Sequence, residues 1–211
     1  MIVQTEIERK KSPRFKWNHQ IISSVLFLEP LKIATLGPAG TSSEASAQYL
    51  LSMLARDGTY SLYSSYEKSY ENLIDGSSNM LLVANAYQGI DKFYMSGEME
   101  FLFPFIYETP LYGIAKRKRE ELVLDRPLII ATHHAPSSLI PWFLSGHDLE
   151  YETIFVRSTS EAANKLKNGE VDLCITTEIA AQKNNVEFIS PTRTIVMLWS
   201  VFGKKSLLSF K

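Results

Sequence analysis

Hydrophobic positions along this chain follow two alternating rhythms. Short apolar runs at 33–36, 80–83, 128–131 and 171–175 read as buried strands, with further strands expected at 60–63 and 153–156. Between them, apolar side chains return at helical spacing. Ala47, Leu50, Leu51 and Leu54 predict a helix that Gly58 ends, and residues 66–74 predict a second, stopped by Asp75-Gly76. Leu139, Ile140, Trp142 and Phe143 mark a helix ended by Gly146, and another follows Ser158 and stops at Asn168-Gly169. The β-α-β-α-β order of the first half implies a parallel sheet. Apolar strands over 101–107 and 111–115 flank Thr109-Pro110, where the chain is expected to cross into a second lobe. The apolar segment 194–202 is long enough to return to the first. The pattern divides the chain into an α/β lobe of about 32–110 and 190–211, a second of about 111–189, and an N-terminal extension, 1–31.

Composition narrows the function classes. With 211 residues, 45% of them hydrophobic, the chain can bury a core of its own, and a formal net charge of -1 gives no drive toward nucleic acid. The basic run Lys116-Arg117-Lys118-Arg119 is followed at once by Glu120-Glu121 and reads as a solvated loop. The single cysteine, Cys174, lies in an apolar run and reads as a buried thiol, which fits a reducing, cytoplasmic setting. No run approaches the ~20 apolar residues of a membrane span. The charged N-terminus, with Arg9, Lys10, Lys11, Arg14 and Lys16 ahead of the apolar stretch 21–28, lacks a clear cleavage site, so secretion is not expected either. No metal-ligand spacing is present, since His133 and His134 are adjacent and cannot both face one site from regular structure. Neither metal nor cofactor is expected.

The densest chemical signal is Gly37-Pro38-Ala39-Gly40-Thr41-Ser42-Ser43-Glu44, a glycine turn between a strand and a helix. Gly37 and Gly40 permit positive φ and close ligand approach, Thr41 with Glu44 makes a capping-box pattern, and first-turn N–H groups remain free to bind oxygen. No Lys follows Gly40, so this is not a nucleotide P-loop. The arrangement recurs. Asn85, Thr132-His133, Ser158-Thr159-Ser160 and Thr176-Thr177 also stand where a strand opens toward a helix or turn, which is where open α/β sheets bind ligands. Each alone is an N-cap as readily as a ligand contact; together they point to a cleft for a small anion.

These motifs, in this order, resemble the prephenate dehydratases over residues 32–203. Residues 37–44 look like that family's GPxGTxSE opening, and Asn85-Ala86-Tyr87-Gln88-Gly89 falls at its NSxxG. Thr132-His133-His134 falls at its SHP, Ser158 to Ala163 at its STxxAA, and Thr192-Arg193-Thr194 at its TRF. Ala86 and Thr194 depart from the pattern, and a chain stopping at Lys211 leaves no room for the regulatory ACT domain common in bacterial dehydratases. Closer similarity is to the short prephenate decarboxylases of the bacilysin and aeruginosin pathways. It is carried by Ala86 to Ile90 with Phe93-Tyr94-Met95, by Thr109 to Gly113, and by Trp199-Ser200-Val201-Phe202-Gly203-Lys204.

The resemblance implies a two-lobed fold like type 2 periplasmic binding proteins, prephenate in the interlobe cleft, and a homodimer. It implies loss of the ring carboxylate as CO2 while the ring hydroxyl stays, supplying a precursor for antibiotic or peptide synthesis. Catalytic roles would fall to His133, Thr192, Arg193 and Asn85. Substrate contacts would come from Gly40, Thr41, Ser42, Ser43, Ala86, Tyr87, Gly89, Tyr112, Thr132, Ser158, Thr159, Ser160, Thr176 and Thr177. His133 is a candidate proton donor, and a hydrogen-bonded structural histidine fits the sequence equally. Tyr87 and Tyr112 read either as pocket walls or as ordinary half-buried aromatics. Retention of Thr192-Arg193 keeps open a dehydratase forming phenylpyruvate, and the same cleft would also serve a non-catalytic carboxylate-binding module.

Overall fold

The computed structural model describes residues 30–55 and 57–205. Two five-stranded sheets organise it. In chain order the first part runs β1 (Leu31–Leu36), α1 (Ser42–Leu54), β2 (Gly58–Tyr63), α2 (Tyr66–Ile74), β3 (Met80–Ala84), α3 (Asp91–Tyr94) and β4 (Met99–Glu108). The second runs β5 (Tyr112–Arg117), β6 (Leu128–Thr132), a 3₁₀ turn (Ser137–Leu139), α4 (Ile140–Phe143), β7 (Tyr151–Phe155), α5 (Thr159–Lys167), β8 (Leu173–Thr177), α6 (Glu178–Asn184) and β9 (Val186–Phe188). β10 (Val196–Lys204) then returns to the first sheet, giving orders β2-β1-β3-β10-β4 and β7-β6-β8-β5-β9. The expected extension lies outside the described residues apart from Pro30 and Leu31, and Leu31 opens β1.

β1, β2 and β3 are parallel, as a β-α-β-α-β order requires, but β10 is antiparallel to both β3 and β4, so the first sheet is mixed. The strand entering the second lobe and the one leaving it lie side by side. Tyr112 and Arg193 exchange backbone hydrogen bonds of 2.8 and 3.0 Å, and the Thr109 N–H donates to the Ile195 carbonyl at 3.0 Å. This paired crossing leaves the C-terminal ends of β1, β3, β6 and β8 facing one another across a cleft. One core fills the first lobe, built on Ile33, Leu50, Leu73, Leu82, Trp199 and Phe202, all essentially fully buried. The second sheet carries separate apolar clusters, one around Leu166 and Cys174, the other around Ile114, Phe143 and Ile175.

Three local expectations change. Gly58 does not end α1: Ala55 does, in the left-handed region at φ 48°, and Gly58 starts β2. A Cβ at Gly58 would lie 2.7 Å from Leu51 Cδ2 and 2.8 Å from Leu31 Cβ, so this glycine serves close approach of α1 to the sheet. The helix expected around 139–143 is a 3₁₀ turn followed by a single α turn, because Pro136 and Pro141 remove backbone donors there. The basic run is also no simple solvated loop. Lys116 and Arg117 belong to β5, and Arg117 donates to the carbonyls of Leu166 and Val171 at 3.0 and 2.6 Å while pairing with Glu120.

Candidate functional site

Each lobe brings a helix N-terminus to the cleft. Thr41 caps α1, its Oγ1 accepting the Glu44 N–H at 3.3 Å, and Ser158 caps α5, its Oγ accepting the Glu161 N–H at 3.1 Å. In both, the glutamate carboxylate turns back on the residue before the cap: Glu44 takes the Gly40 N–H at 2.6 Å, Glu161 the Arg157 N–H at 3.2 Å. Gly40 sits at φ +92°, which bends the chain into α1, and its carbonyl accepts a 2.7 Å bond from Thr177 Oγ1 of the other lobe. A second polar link crosses beside it. Ser42 Oγ and Tyr112 Oη share a 2.6 Å hydrogen bond.

The inner cleft holds about 490 Å³ of space, part of it open to solvent. Thr41, Ser42, Ser43, Ser158 and Thr159 line its polar side; Leu36, Ala84, Ala86, Met197 and Trp199 line its apolar side. Tyr66, Tyr87, Tyr112, His133, Ala135 and Pro136 complete the wall, and Arg157 stands at it as a cation. Among the described residues, no Asp or Glu belongs to this lining. Tyr66 joins Ser43 Oγ at 3.1 Å and accepts the Ala84 N–H at 3.2 Å, while burial pushes its phenol up to about 12, so it acts as a neutral hydroxyl. Burial raises Tyr112 in the same way, with the Ser42 and Thr159 hydroxyls pulling back.

His133 is held below the ordinary imidazole range by burial and then by the neighbouring His134, so it is neutral at pH 7. Its Nδ1 accepts the Ala135 N–H at 3.2 Å, which leaves the proton on Nε2. The site therefore offers a neutral imidazole N–H as a donor. An outer vestibule shares Leu36, Tyr66, Tyr87, His133 and Arg157 with the cleft and adds Glu67 and Lys165. There Tyr87 donates to Glu67 at 2.5 Å and Lys92 pairs with the same carboxylate. Against the upward push of partial burial, these bonds hold Glu67 down to about 2.

Of the residues expected at the site, the cleft brings together Thr41, Ser42, Ser43, Ala86, Tyr87, Tyr112, His133, Ser158 and Thr159. The others stand around it. Gly40, Thr176 and Thr177 form its frame, Thr176 donating to the Thr159 carbonyl at 2.9 Å, and Thr132 is buried with its hydroxyl on the His133 carbonyl at 3.0 Å. Gly89 packs against the Tyr87 ring, and Ser160 faces a neighbouring groove with Pro38 and Asn164. Asn85 accepts from Ser200 Oγ at 2.8 Å, on the face of β10 opposite Trp199. Thr192 is exposed, and the Arg193 guanidinium lies 5.2 Å from the Trp142 ring centre; neither lines the cleft. Sequence reasoning missed Tyr66, Arg157 and Trp199 as cleft residues. Arg157 had a legible signal, a cation directly before a helix cap.

The sheet order and the cleft between sheets define a two-lobed, type 2 periplasmic-binding-protein-like fold of the kind found in prephenate dehydratase catalytic domains. Among solved structures, the prephenate dehydratase of Arthrobacter aurescens in complex with L-Phe superposes with a TM-score of 0.64 at 14% identity, over 82% of this chain and 60% of that one. This chain thus spans less than two thirds of that protein, and the likeness is one of fold. No family model matches the chain. It is 39% identical over 183 residues to a prephenate decarboxylase of Planktothrix agardhii (strain NIVA-CYA 126/8), covering 84% of this chain and 90% of the relative. It is 35% identical over 181 residues to a prephenate decarboxylase of Bacillus subtilis (strain 168), covering 82% and 87%. The chain belongs to the prephenate decarboxylase family.

Proposed function

We propose that this protein decarboxylates prephenate without making its ring aromatic. The observation that carries the reading is a cleft with hydroxyls and two helix N-termini on one side, an apolar wall on the other, and a cation but no carboxylate in its described lining. Prephenate is a dianion whose carboxylates must be treated differently. The pyruvyl carboxylate fits the helix ends and Arg157, where N–H dipoles and a guanidinium favour a charge. The ring carboxylate then falls toward Leu36, Ala84, Ala86 and Met197, where it is poorly hydrated and its conversion to neutral CO2 is favoured. As the C–CO2 bond breaks, its electron pair enters the ring diene and a proton is added at a ring carbon, so the hydroxyl remains. Neutral His133, with its proton on Nε2, orients the substrate as a hydrogen-bond donor in this reading, and solvent supplies the proton to the ring carbon, because a neutral imidazole does not act as an acid at pH 7.

Thr192 and Arg193, Asn85 and the remaining frame residues belong to the reading as positioning groups for the crossing strands and the cleft floor. The setting is the cytoplasm, supported by the buried free thiol of Cys174, and the product would serve antibiotic or peptide precursor supply. No described helix is long and apolar enough to cross a membrane. A homodimer is supported by the exposed apolar band of Val196, Leu198 and Ile106 on one face of β4 and β10. The test is incubation with prephenate at mildly alkaline pH, following CO2 and the proton NMR spectrum of the product. Stoichiometric CO2 with a hydroxylated, non-aromatic keto acid is expected. Phenylpyruvate would overturn the reading in favour of a dehydratase, and binding without turnover would reduce the protein to a sensor.

A further inference from the structure

The cleft wall contains a donor that the protein itself does not use. Trp199 is 0% exposed, yet its indole nitrogen has no hydrogen-bond partner among the described residues. Buried N–H groups are otherwise paired throughout folded proteins, and leaving one unpaired is costly. Among the described residues Ser160 Oγ shares this condition, and of the two only Trp199 borders the inner cleft. β10 lies between β3 and β4, with Trp199 opposite Ala84 on one side and Phe105 on the other. Met197, two residues earlier and on the same face, lines the cleft together with Trp199 and Ala84. The hydroxyls around it, by contrast, are engaged: Ser42 holds Tyr112, Ser43 holds Tyr66, and Thr41 and Ser158 hold their helix caps.

We propose that Trp199 is a substrate-binding residue whose indole N–H donates to an oxygen of the bound substrate. The proposal rests on the prephenate reading above and adds to it a role that follows from indole chemistry. An indole N–H donates a hydrogen bond but does not give up its proton at physiological pH, and it accepts none. It holds a substrate oxygen in an apolar wall without protonating it. For a substrate whose ring hydroxyl must not leave as water, a donor of this kind orients the ring while giving no acid assistance to dehydration.

The test compares wild type with Trp199→Phe, which keeps an aromatic side chain and removes the N–H. The expected result is a KM for prephenate raised roughly tenfold or more, the loss of one buried hydrogen bond, in a variant whose far-ultraviolet circular dichroism matches wild type and which still melts cooperatively, at a somewhat lower temperature because the buried ring is smaller. A folded variant with KM and kcat within about twofold of wild type would overturn the proposal. If the variant does not fold, indole ¹⁵N–¹H spectra of wild type decide instead, with the Trp199 signal assigned by elimination using Trp17→Phe and Trp142→Phe. Recorded cold with prephenate in large excess, that proton should move downfield, and an unmoved signal would overturn the proposal. A wild-type protein that leaves prephenate untouched would remove the functional reading, and this proposal with it; an active wild type with an unaltered Trp199 variant removes the proposal alone.

Discussion

The two lobes present the same helix start to the cleft and arm it differently. Thr41 with Glu44 and Ser158 with Glu161 make matching caps, each carboxylate folding back onto the N–H of the preceding residue. In the first lobe that preceding residue is Gly40, without a side chain and tied to the second lobe through Thr177. In the second lobe it is Arg157, whose side chain is 75% exposed and reaches Glu161 through Nε at 3.1 Å. One end is a fixed, uncharged cradle; the other adds an exposed positive charge. In the function proposed above, a dianion entering between them meets geometry from one lobe and charge from the other, a division between what must stay rigid and what only needs to attract.

The largest effect expected on this contrast comes from Gly40→Val. At φ +92° a β-branched residue is strained, and its Cβ would stand 3.3 Å from Ser160 Oγ and 3.4 Å from Ala180 Cα. The turn must shift, carrying the α1 N-terminus and the Thr177 link with it. Misplacement of a substrate-binding group by about 1 Å costs on the order of 100-fold in turnover, and kcat/KM for prephenate should fall toward that extent as the strained turn relaxes. Activity close to wild type would show that the cradle is adaptable. Next in size is Arg157→Ala, which removes a charge-assisted contact worth roughly 1.5 to 3 kcal/mol. Its KM should rise about 10- to 100-fold with kcat much less affected. Its melting temperature should hardly move, since the exposed pair with Glu161 contributes at most about 1 kcal/mol. A fall in kcat without a change in KM would move Arg157 from attraction to chemistry and erase the division between the lobes.

Local devices were legible in the sequence because their partners are three or four residues away. Both capping boxes and the stop of α2 at Asp75 follow from short-range rules. The family resemblance, read from ordered motifs, named the same family as the relatives sharing 39% and 35% identity. Long-range pairings were not legible. Nothing near Ser42 announces Tyr112, 70 residues on, nor near Asn85 the Ser200 hydroxyl that occupies it, 115 residues on. Arg117 looked like one charge in a solvated run because its acceptors, the Leu166 and Val171 carbonyls, reach it only through the second sheet. Trp199 read as part of a matching stretch, and its unpaired indole is visible only once β10 is seen between β3 and β4.

The smallest expected effects compare the caps themselves. Ser158→Ala removes the oxygen that accepts the Glu161 N–H, and loss of such a cap costs roughly 1 kcal/mol. In a protein of this size that corresponds to a melting temperature lower by about 2–4 °C. Thr41→Ala should cost somewhat more, because its hydroxyl accepts the Glu44 N–H and also donates to the Leu36 carbonyl at the end of β1. That second bond holds the helix start against the strand that feeds it, so its loss loosens the turn as well as the first helical N–H. Calorimetry on the two variants, with a Ser158→Gly control expected to lose only a few tenths of a kcal/mol, reads the difference directly. If Thr41→Ala proves no worse than Ser158→Ala, the first lobe's rigidity resides in Gly40 and Thr177 alone, and the Leu36 bond contributes nothing to the cradle.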